Sequence, residues 1–564
     1  MTAFSLIQTT NYEPLSLKWV TLITVLAITC IATRFISGAQ SRPLAQNGRE
    51  SRRPKTAPYW IPWLGHGISF LWNHLTFLES LRDSTRESIF GVYLRGETYQ
   101  AVVSPSMMKA ILSSKSTSSS PLQNQALTNV FGDPNSARNA RSVQHHPSNP
   151  DISVTINREP FISEASKAMT QTLQRNVPNF VSFSRSPVDQ SQWERDADVS
   201  APEEGQSICE ASLFALTRAF VGQNLSSFLM GEAFVENFPL FLTDLWTLDK
   251  NLVPLFIGLR RWIPTTPGIS AAFPARDRLL NTMSVFYRAF NAWDDGIDPG
   301  VELRDLDDIS DLVKERMRTF RKLDLSPTAS AVGHLSLYWD VVEYSSKMTF
   351  WTIAHIFADS ALLREIREEI STTVKASRRT RQETGFPFDE PPRLELDMED
   401  MLQHCPLLKA CYYESIRLHS AGISLRKLET DMTLTESTDE AVQPRTYKLS
   451  KGEIVMIPHG LVNCDSQRVS NPDQFDPLRF IVTDESSGAK RASSAGLEPF
   501  SDGLYGPKNN PFTERAVLAS AASIISMWNI TSANGLELRV PNNRTTWGTF
   551  QPATDVKVKI KLRV

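Results

Sequence analysis

The sequence predicts a mainly α-helical protein with a smaller β-rich region, preceded by a single N-terminal transmembrane anchor. Three patterns carry this prediction. An uncharged apolar run lies near the N-terminus, helical spacing of apolar residues dominates after Ser207, and strand-like alternation is confined to an early segment and the C-terminal part. With 564 residues, 41% of them hydrophobic, the chain is long enough to bury a large core.

The anchor is predicted over residues 19–37, which begin with the uncharged run Trp19–Thr33. A bilayer needs about 20 apolar residues, and the flanking cations Lys18 and Arg34 can extend to its two interfaces. Further basic residues follow the run, namely Arg42, Arg49, Arg52, Arg53 and Lys55. The positive-inside rule therefore places residues 1–18 in the lumen and the main domain in the cytosol, with the endoplasmic reticulum as the expected membrane. A cleaved signal peptide is the alternative, disfavoured because no basic segment opens the chain.

Residues 38–64 read as a basic, proline-rich linker, and residues 65–564 as one large domain. The formal net charge of −3 gives no electrostatic reason to expect a nucleic-acid partner. The five cysteines are scattered and form neither a CxxC pair nor a Cys/His cluster, so we predict no metal site and no disulfide framework.

Within the domain, alternation predicts a strand pair and helical spacing predicts several helices. The strand pair covers Ile89–Val103 and turns at Arg95-Gly96. The predicted helices are one that starts at Ser104-Pro105, a long apolar one over Val332–Ala358, a short one over Met398–Leu408 that leads into Lys409–His419, and one over Phe512–Trp528.

A chain of motifs follows the long helix. Glu414 and Arg417 are spaced i, i+3 on a helix, which lets the two side chains pair. Arg426 comes nine positions later, and the segment Asn471–Phe480 (NPDQFDPLRF) contains Arg479.

In this order the motifs resemble the cytochrome P-450 family, from about residue 54 to the C-terminus, and in particular its fungal branch related to sterol 7α-hydroxylases and prostacyclin synthases. The resemblance implies the P-450 fold, with an apolar pocket near the long helix. It also implies a structural ion-pair network of Glu414, Arg417 and Arg479, and a position for Arg426 where a haem propionate would lie.

The chain departs from the family at the haem-ligand loop. The family reads Phe-Gly-x-Gly-x-x-x-Cys-x-Gly-Arg, whereas this segment reads PFSDGLYGPKNNPFTER from Pro499. Phe500 and Gly503 register without a gap, which puts Pro507 at the position of the ligating cysteine. Proline offers no lone pair to iron, and no cysteine follows Cys464.

The long helix departs as well. The family's Ala/Gly-Gly-x-Asp/Glu-Thr stretch, which handles oxygen, falls here on Asp340-Val341-Val342-Glu343-Tyr344. The acid is kept as Glu343, but Tyr344 replaces the threonine and Val341 the glycine. Both losses point away from ordinary oxygen chemistry.

Three functions remain open from the sequence. The favoured one is a haem-independent enzyme that cyclises an apolar terpenoid or polyketide-type metabolite, for example by a Diels–Alder reaction, with Glu343 and Tyr344 as catalytic hydrogen-bond donors and no cofactor. The second is a haem monooxygenase with an unusual or missing axial ligand, which would need a reductase partner. The third is a non-catalytic binding or scaffold protein that associates with related biosynthetic enzymes at the membrane.

Overall fold

The structure is a computed structural model. It describes residues 17–40, 52–132, 159–201, 207–259, 261, 268–385, 387, 389–420, 422–437, 443–497, 511–544, 546 and 548–563. These residues form two compact units, each described below by itself: one is drawn from residues 1–110 and 428–456, and the other from 111–427 and 457–564.

In the described residues the helices are α1 (Leu17–Gln40), α2 (Gly67–Thr85), α3 (Pro105–Ser113), α4 (Ser120–Asn129), α5 (Phe161–Asn176), α6 (Gln192–Asp196), α7 (Leu213–Met230), α8 (Glu232–Asn237), α9 (Phe241–Lys250), α10 (Leu252–Phe256), α11 (Ile269–Asp294), α12 (Asp311–Lys322), α13 (Pro327–Ala358), α14 (Ser360–Ile370), α15 (Arg381–Thr384), α16 (Met398–His404), α17 (Pro406–His419), α18 (His459–Asn463) and α19 (Pro511–Met527).

The strands are β1 (Lys55–Thr56), β2 (Ile89–Leu94), β3 (Glu97–Val102), β4 (Thr117–Ser118), β5 (Ile208–Ser212), β6 (Val374–Ser377), β7 (Arg393–Leu396), β8 (Ile423–Leu428), β9 (Met432–Thr435), β10 (Thr446–Leu449), β11 (Ile454–Pro458), β12 (Ile481–Thr483), β13 (Lys490–Ala492), β14 (Trp528–Ser532), β15 (Asn543–Arg544), β16 (Gln551–Pro552) and β17 (Lys557–Leu562). The predicted mainly α architecture with a smaller β content is confirmed.

The smaller unit contains the predicted strand pair. β2 and β3 are antiparallel, and the turn between them is made by Arg95 and Gly96, whose φ angles of 52° and 90° are both left-handed, as a tight hairpin requires. β1 adds to β2 and residues 454–456 of β11 add to β3, both in parallel. The same unit holds α1, whose segment Trp19–Ala39 is long and apolar enough to cross a membrane.

The larger unit is organised around α13. Ser326 caps this helix by accepting a hydrogen bond from the Ala329 N–H at 3.2 Å, and Pro327 occupies the first helical position. α13 packs against α7, α11, α17 and α19, which is why nearly all of its 32 residues are buried. At its far end Asp359 terminates the helix and caps α14 through the N–H groups of Ala361 and Leu362.

One predicted helix boundary is wrong. The segment Met398–Leu408 is not a single helix, because α16 ends at His404 and α17 starts at Pro406. The proline ring excludes the α conformation at the residue before it, and Cys405 accordingly adopts φ −114° and ψ 65°. The break makes α17 a separate helix from α16, and α17 carries Glu414 and Arg417.

Candidate functional site around the central helix

The polar centre of the larger unit is a buried charge cluster on α13. Lys347 lies one turn after Glu343, and its ammonium group contacts the Glu343 carboxyl and lies 2.8 Å from Oδ2 of Asp249 at the end of α9. The side chains of Lys347, Asp249 and Glu343 are 0%, 1% and 3% exposed. A buried charge is tolerated only when it is paired and hydrogen-bonded, so these three groups depend on one another.

Further donors and acceptors complete this cluster. Trp339 Nε1 donates to Asp249 Oδ1 at 3.1 Å, and Gln551 Nε2 donates to Oδ2 at 2.8 Å. Lys347 also donates to the carbonyl oxygen of Thr549 at 3.4 Å. The cluster therefore joins α9, the middle of α13 and the segment that leads into β16.

The pKa values within this cluster follow from burial and from the neighbouring charges. Burial raises the pKa of Glu343, against the lowering influence of Lys347, and Asp249 raises it further. Burial lowers the pKa of Lys347, but the charges of Asp249 and Glu343 outweigh it and raise the pKa overall. Lys347 thus stays charged, with Asp249 as its counter-ion.

The Tyr344 side chain has a different hydrogen-bond partner from the Glu343 side chain. Its hydroxyl lies 2.8 Å from the hydroxyl of Tyr412 on α17, and burial raises the pKa of both phenols. In such a pair one hydroxyl donates to the other, and the accepting hydroxyl keeps its own proton to donate elsewhere. Both side chains are buried, Tyr344 with 6% and Tyr412 with 1% of its surface exposed.

The structure brings Glu414, Arg417 and Arg479 together. Arg417 donates to both carboxylate oxygens of Glu414 at 2.8 Å, and Arg479 Nε lies 3.5 Å from Glu414 Oε1. Arg417 also donates to the carbonyl groups of Pro472 and Gln474, at 2.7 and 3.1 Å. The pair thus ties α17 to the segment before Arg479.

The other predicted site residues lie apart from this network or outside the described residues. Arg426 is half-buried on β8. Phe500, Gly503 and Pro507, the residues of the degenerate ligand loop, fall in 498–510 and lie outside the described residues.

The structure also contains a contact between two histidines that the sequence did not predict. Nε2 of His355 lies 2.8 Å from Nε2 of His419, and Nδ1 of His419 lies 2.7 Å from Oδ1 of Asn543. Since the amide oxygen only accepts, Nδ1 of His419 donates to it, and Nε2 of neutral His419 then accepts from His355. Burial lowers the pKa of His355 to about 3, and burial and the neighbouring His355 lower the pKa of His419.

The cysteines are the side chains that could ligate a haem iron as thiolates. Burial raises the pKa of the thiols of Cys209, Cys405 and Cys411, which disfavours the thiolate form, and Cys464 donates to the Arg417 carbonyl oxygen at 3.3 Å. The fifth cysteine, Cys30, lies in α1. Among the described residues there is also no cluster of three His, Cys, Asp or Glu side chains that could hold a metal. Among the described residues, Cys209, Cys405 and Cys411 are therefore poorly suited to ligate haem as thiolates.

Comparison with known proteins relates the chain to one family. The cytochrome P-450 family model matches residues 275–504, a range that includes α13 and the Glu414–Arg417 pair. The chain is 22% identical to the cytochrome P-450 monooxygenase efuG of Hormonema carpetanum over 95% of both chains. It is 23% identical to cytochrome P-450 7A1 of Oryctolagus cuniculus, over 91% of this chain and 94% of that one. It is also 23% identical to the cytochrome P-450 monooxygenase poxD of Penicillium oxalicum, over 56% and 57%.

The match over residues 275–504 and the relatives confirm the predicted resemblance to the cytochrome P-450 family and its fold. Two of these relatives, both fungal, are named as monooxygenases, and the identities are low.

Proposed function

We propose that this chain is a haem-independent enzyme of the P-450 fold that cyclises an apolar terpenoid or polyketide-type metabolite. The observation that carries the proposal is the joint replacement of two sets of residues. The sequence places Pro507 at the ligand position, and the middle of α13 carries Asp340, Val341, Glu343 and Tyr344 in place of the oxygen-handling stretch.

A pericyclic cyclisation needs little from an enzyme beyond a preorganised pocket and a hydrogen bond to a substrate carbonyl. Holding a flexible polyene in its reactive conformation removes much of the entropic barrier. A donor aimed at the oxygen where negative charge develops in the transition state adds about 2.7–4 kcal/mol. Neither contribution requires iron, oxygen or a reductant.

Of the two predicted donors, Tyr344 is better suited to donate to a substrate than Glu343. The Glu343 carboxyl already contacts Lys347 and is almost fully buried. When Tyr412 donates to Tyr344, the proton of Tyr344 remains available, and the first hydrogen bond polarises the hydroxyl and strengthens the second. The geometry thus favours a Tyr412–Tyr344–substrate chain of hydrogen bonds.

The test of this donor is turnover measured without NADPH, reductase or added haem. We expect Tyr344→Phe to lower turnover about a hundredfold or more with little change in melting temperature. Tyr412→Phe is the matched control, because it removes the polarising partner but leaves the Tyr344 hydroxyl, so its loss should be smaller. Equal activity of Tyr344→Phe and the unaltered chain would remove Tyr344 from the mechanism.

A haem-dependent monooxygenase is the second candidate, and the names of the relatives favour it. It would act with a reductase on a small apolar substrate. Haem content after expression with excess haem precursor separates the two candidates: a Soret band with stoichiometric iron supports the monooxygenase, and its absence supports the cyclase.

We further propose that α1 anchors the chain in the endoplasmic reticulum membrane with the main domain in the cytosol. The apolar helix and the basic residues after it support this topology. In that position the enzyme would take a membrane-soluble substrate and lie beside related biosynthetic enzymes.

A further inference from the structure

Asp340 differs from its neighbours in the middle of α13. From His334 to Ala354 every residue of the helix is buried except Trp339 and Asp340, which keep part of their surface exposed. Val341 and Val342, which follow directly, are 1% and 0% exposed. At this position α13 therefore keeps a partly accessible surface that its neighbouring turns lack.

The two partly exposed residues differ in how their polar atoms are used. The indole of Trp339 donates to Asp249. The Asp340 carboxyl has no hydrogen bond or ion pair with any residue that the structure describes, although carboxylates in such surroundings normally find a partner. An unpartnered carboxyl group beside a sealed charge cluster is available to a ligand.

Helical spacing places Asp340 on the same face as the charge cluster. Positions i, i+3, i+4 and i+7 share one side of a helix, and here they are Asp340, Glu343, Tyr344 and Lys347. Glu343 and Lys347 are sealed by Asp249, and Tyr344 by Tyr412. Asp340 is the end of this polar face that remains accessible.

The electrostatic environment favours the neutral form of the Asp340 carboxyl. Burial raises its pKa well above the usual range, and the charge of Glu343 raises it further. Tyr344 also faces Asp340, since Asp340 contributes to the raised pKa of that phenol. Lys347 is committed to Asp249 and Glu343 and makes no ion pair with Asp340. A neutral carboxylic acid donates a hydrogen bond, as a carboxylate cannot.

We propose that Asp340 is a ligand-binding residue that donates a hydrogen bond to a carbonyl oxygen of an otherwise apolar ligand. This inference rests on the proposed function only in assuming a small-molecule ligand near α13. It adds a recognition group that the motif comparison did not select, and it restricts the substrate class to apolar molecules with an exposed carbonyl. No covalent step is involved, and the proton stays on the carboxyl group.

The experiment compares two probes of similar shape, trans-chalcone and 1,3-diphenylpropene, which lacks the carbonyl group. Affinities are measured on the full chain in detergent by quenching of tryptophan fluorescence. We expect the unaltered chain to prefer trans-chalcone about tenfold, the size expected for one hydrogen bond. Asp340→Leu should abolish the preference, whereas Asp340→Asn should keep it, because an amide also donates.

The pH dependence distinguishes a carboxyl donor from a merely polar position. The preference of the unaltered chain should disappear as the pH rises and Asp340 ionises, whereas that of Asp340→Asn should be independent of pH. Asp307→Asn, at an exposed carboxyl remote in sequence from α13, is the matched control and should behave like the unaltered chain.

The inference is overturned if the unaltered chain binds the two probes with equal affinity or does not bind trans-chalcone at all. It is also overturned if Asp340→Leu keeps the preference for trans-chalcone. These outcomes are independent of the proposed function. A chain that binds haem stoichiometrically yet shows the Asp340-dependent preference would reject haem independence and retain this inference.

Discussion

Replacing Lys347 by methionine tests whether the buried cluster stabilises the protein through charge pairing. Methionine fills a similar volume, so packing is largely kept, but Asp249 loses its counter-ion and Thr549 loses a donor. Removing one partner of a buried ion pair costs about 3–5 kcal/mol. We expect the lower part of that range, because Asp249 retains the donors Trp339 and Gln551.

The size of the thermal shift follows from the size of the larger unit. An unfolding entropy of about 2.1 cal/mol/K per residue over roughly 400 residues gives about 0.85 kcal/mol per degree. The lower part of the range, about 3–4 kcal/mol, therefore gives an expected fall in melting temperature of about 4–5 °C for Lys347→Met. Circular dichroism of the purified chain in detergent measures it, with urea unfolding as a second assay.

Two further variants isolate the charge effect. In the double variant Lys347→Met with Asp249→Asn neither charge remains, so part of the lost stability should return. Lys250→Met is the matched control, since Lys250 is exposed at the end of α9 next to Asp249, and it should change stability by less than about 0.5 kcal/mol. The reasoning fails if Lys347→Met melts like the unaltered chain, or if the double variant is no more stable than Lys347→Met alone.

Three other measurements test the fold around this site. Because the pKa values of His355 and His419 are lowered in the folded chain, the unfolded chain binds more protons between pH 6.5 and about 3. The free energy of unfolding should therefore be highest above pH 6.5 and fall on acidification by up to about 1.4 kcal/mol per pH unit per histidine. Urea midpoints that stay constant from pH 7 to 5 would contradict this. Glu414→Ala should lower the free energy of unfolding by about 3–5 kcal/mol, because it leaves Arg417 without its buried partner. The control Glu365→Ala, at an exposed position, should leave it almost unchanged. Equal melting temperatures of the two variants would argue against a structural ion pair. Deletion of residues 1–37 should release the chain from membranes, so that retention resistant to alkali would reject the anchor.

The parts of the fold that the sequence predicts well are those set by neighbouring residues. The Arg95-Gly96 turn fixes the β2–β3 hairpin because both positions need positive φ. The i, i+3 spacing of Glu414 and Arg417 is enough to place a carboxylate beside a guanidinium. The break between α16 and α17 was equally local, because Pro406 forces it, yet the apolar pattern around it masked the signal.

The candidate site was only partly predictable, because its partners are distant in the chain. Glu343 and Tyr344 follow from the alignment of the long helix, but their contacts do not. Tyr344 meets Tyr412, 68 positions later, and Lys347 meets Asp249, 98 positions earlier. One local signal was available, since Glu343 and Lys347 are spaced i, i+4 within an otherwise apolar helix. A lysine in such a helix needs a counter-ion, and that requirement predicts a buried acid without naming it.

The same requirement explains why the middle of α13 has two kinds of polar residue. Lys347 pairs with Asp249 and contacts Glu343, so this part of the cluster is paired and closed to solvent. Asp340 lies one turn earlier on that face, and its carboxyl has no hydrogen bond or ion pair with the part of the chain that the structure describes. If Lys347 also served Asp340, the acid would ionise and could no longer donate. Because Lys347 is committed to Asp249, it does not draw the proton from Asp340, and this is what the proposed hydrogen bond to a ligand carbonyl requires.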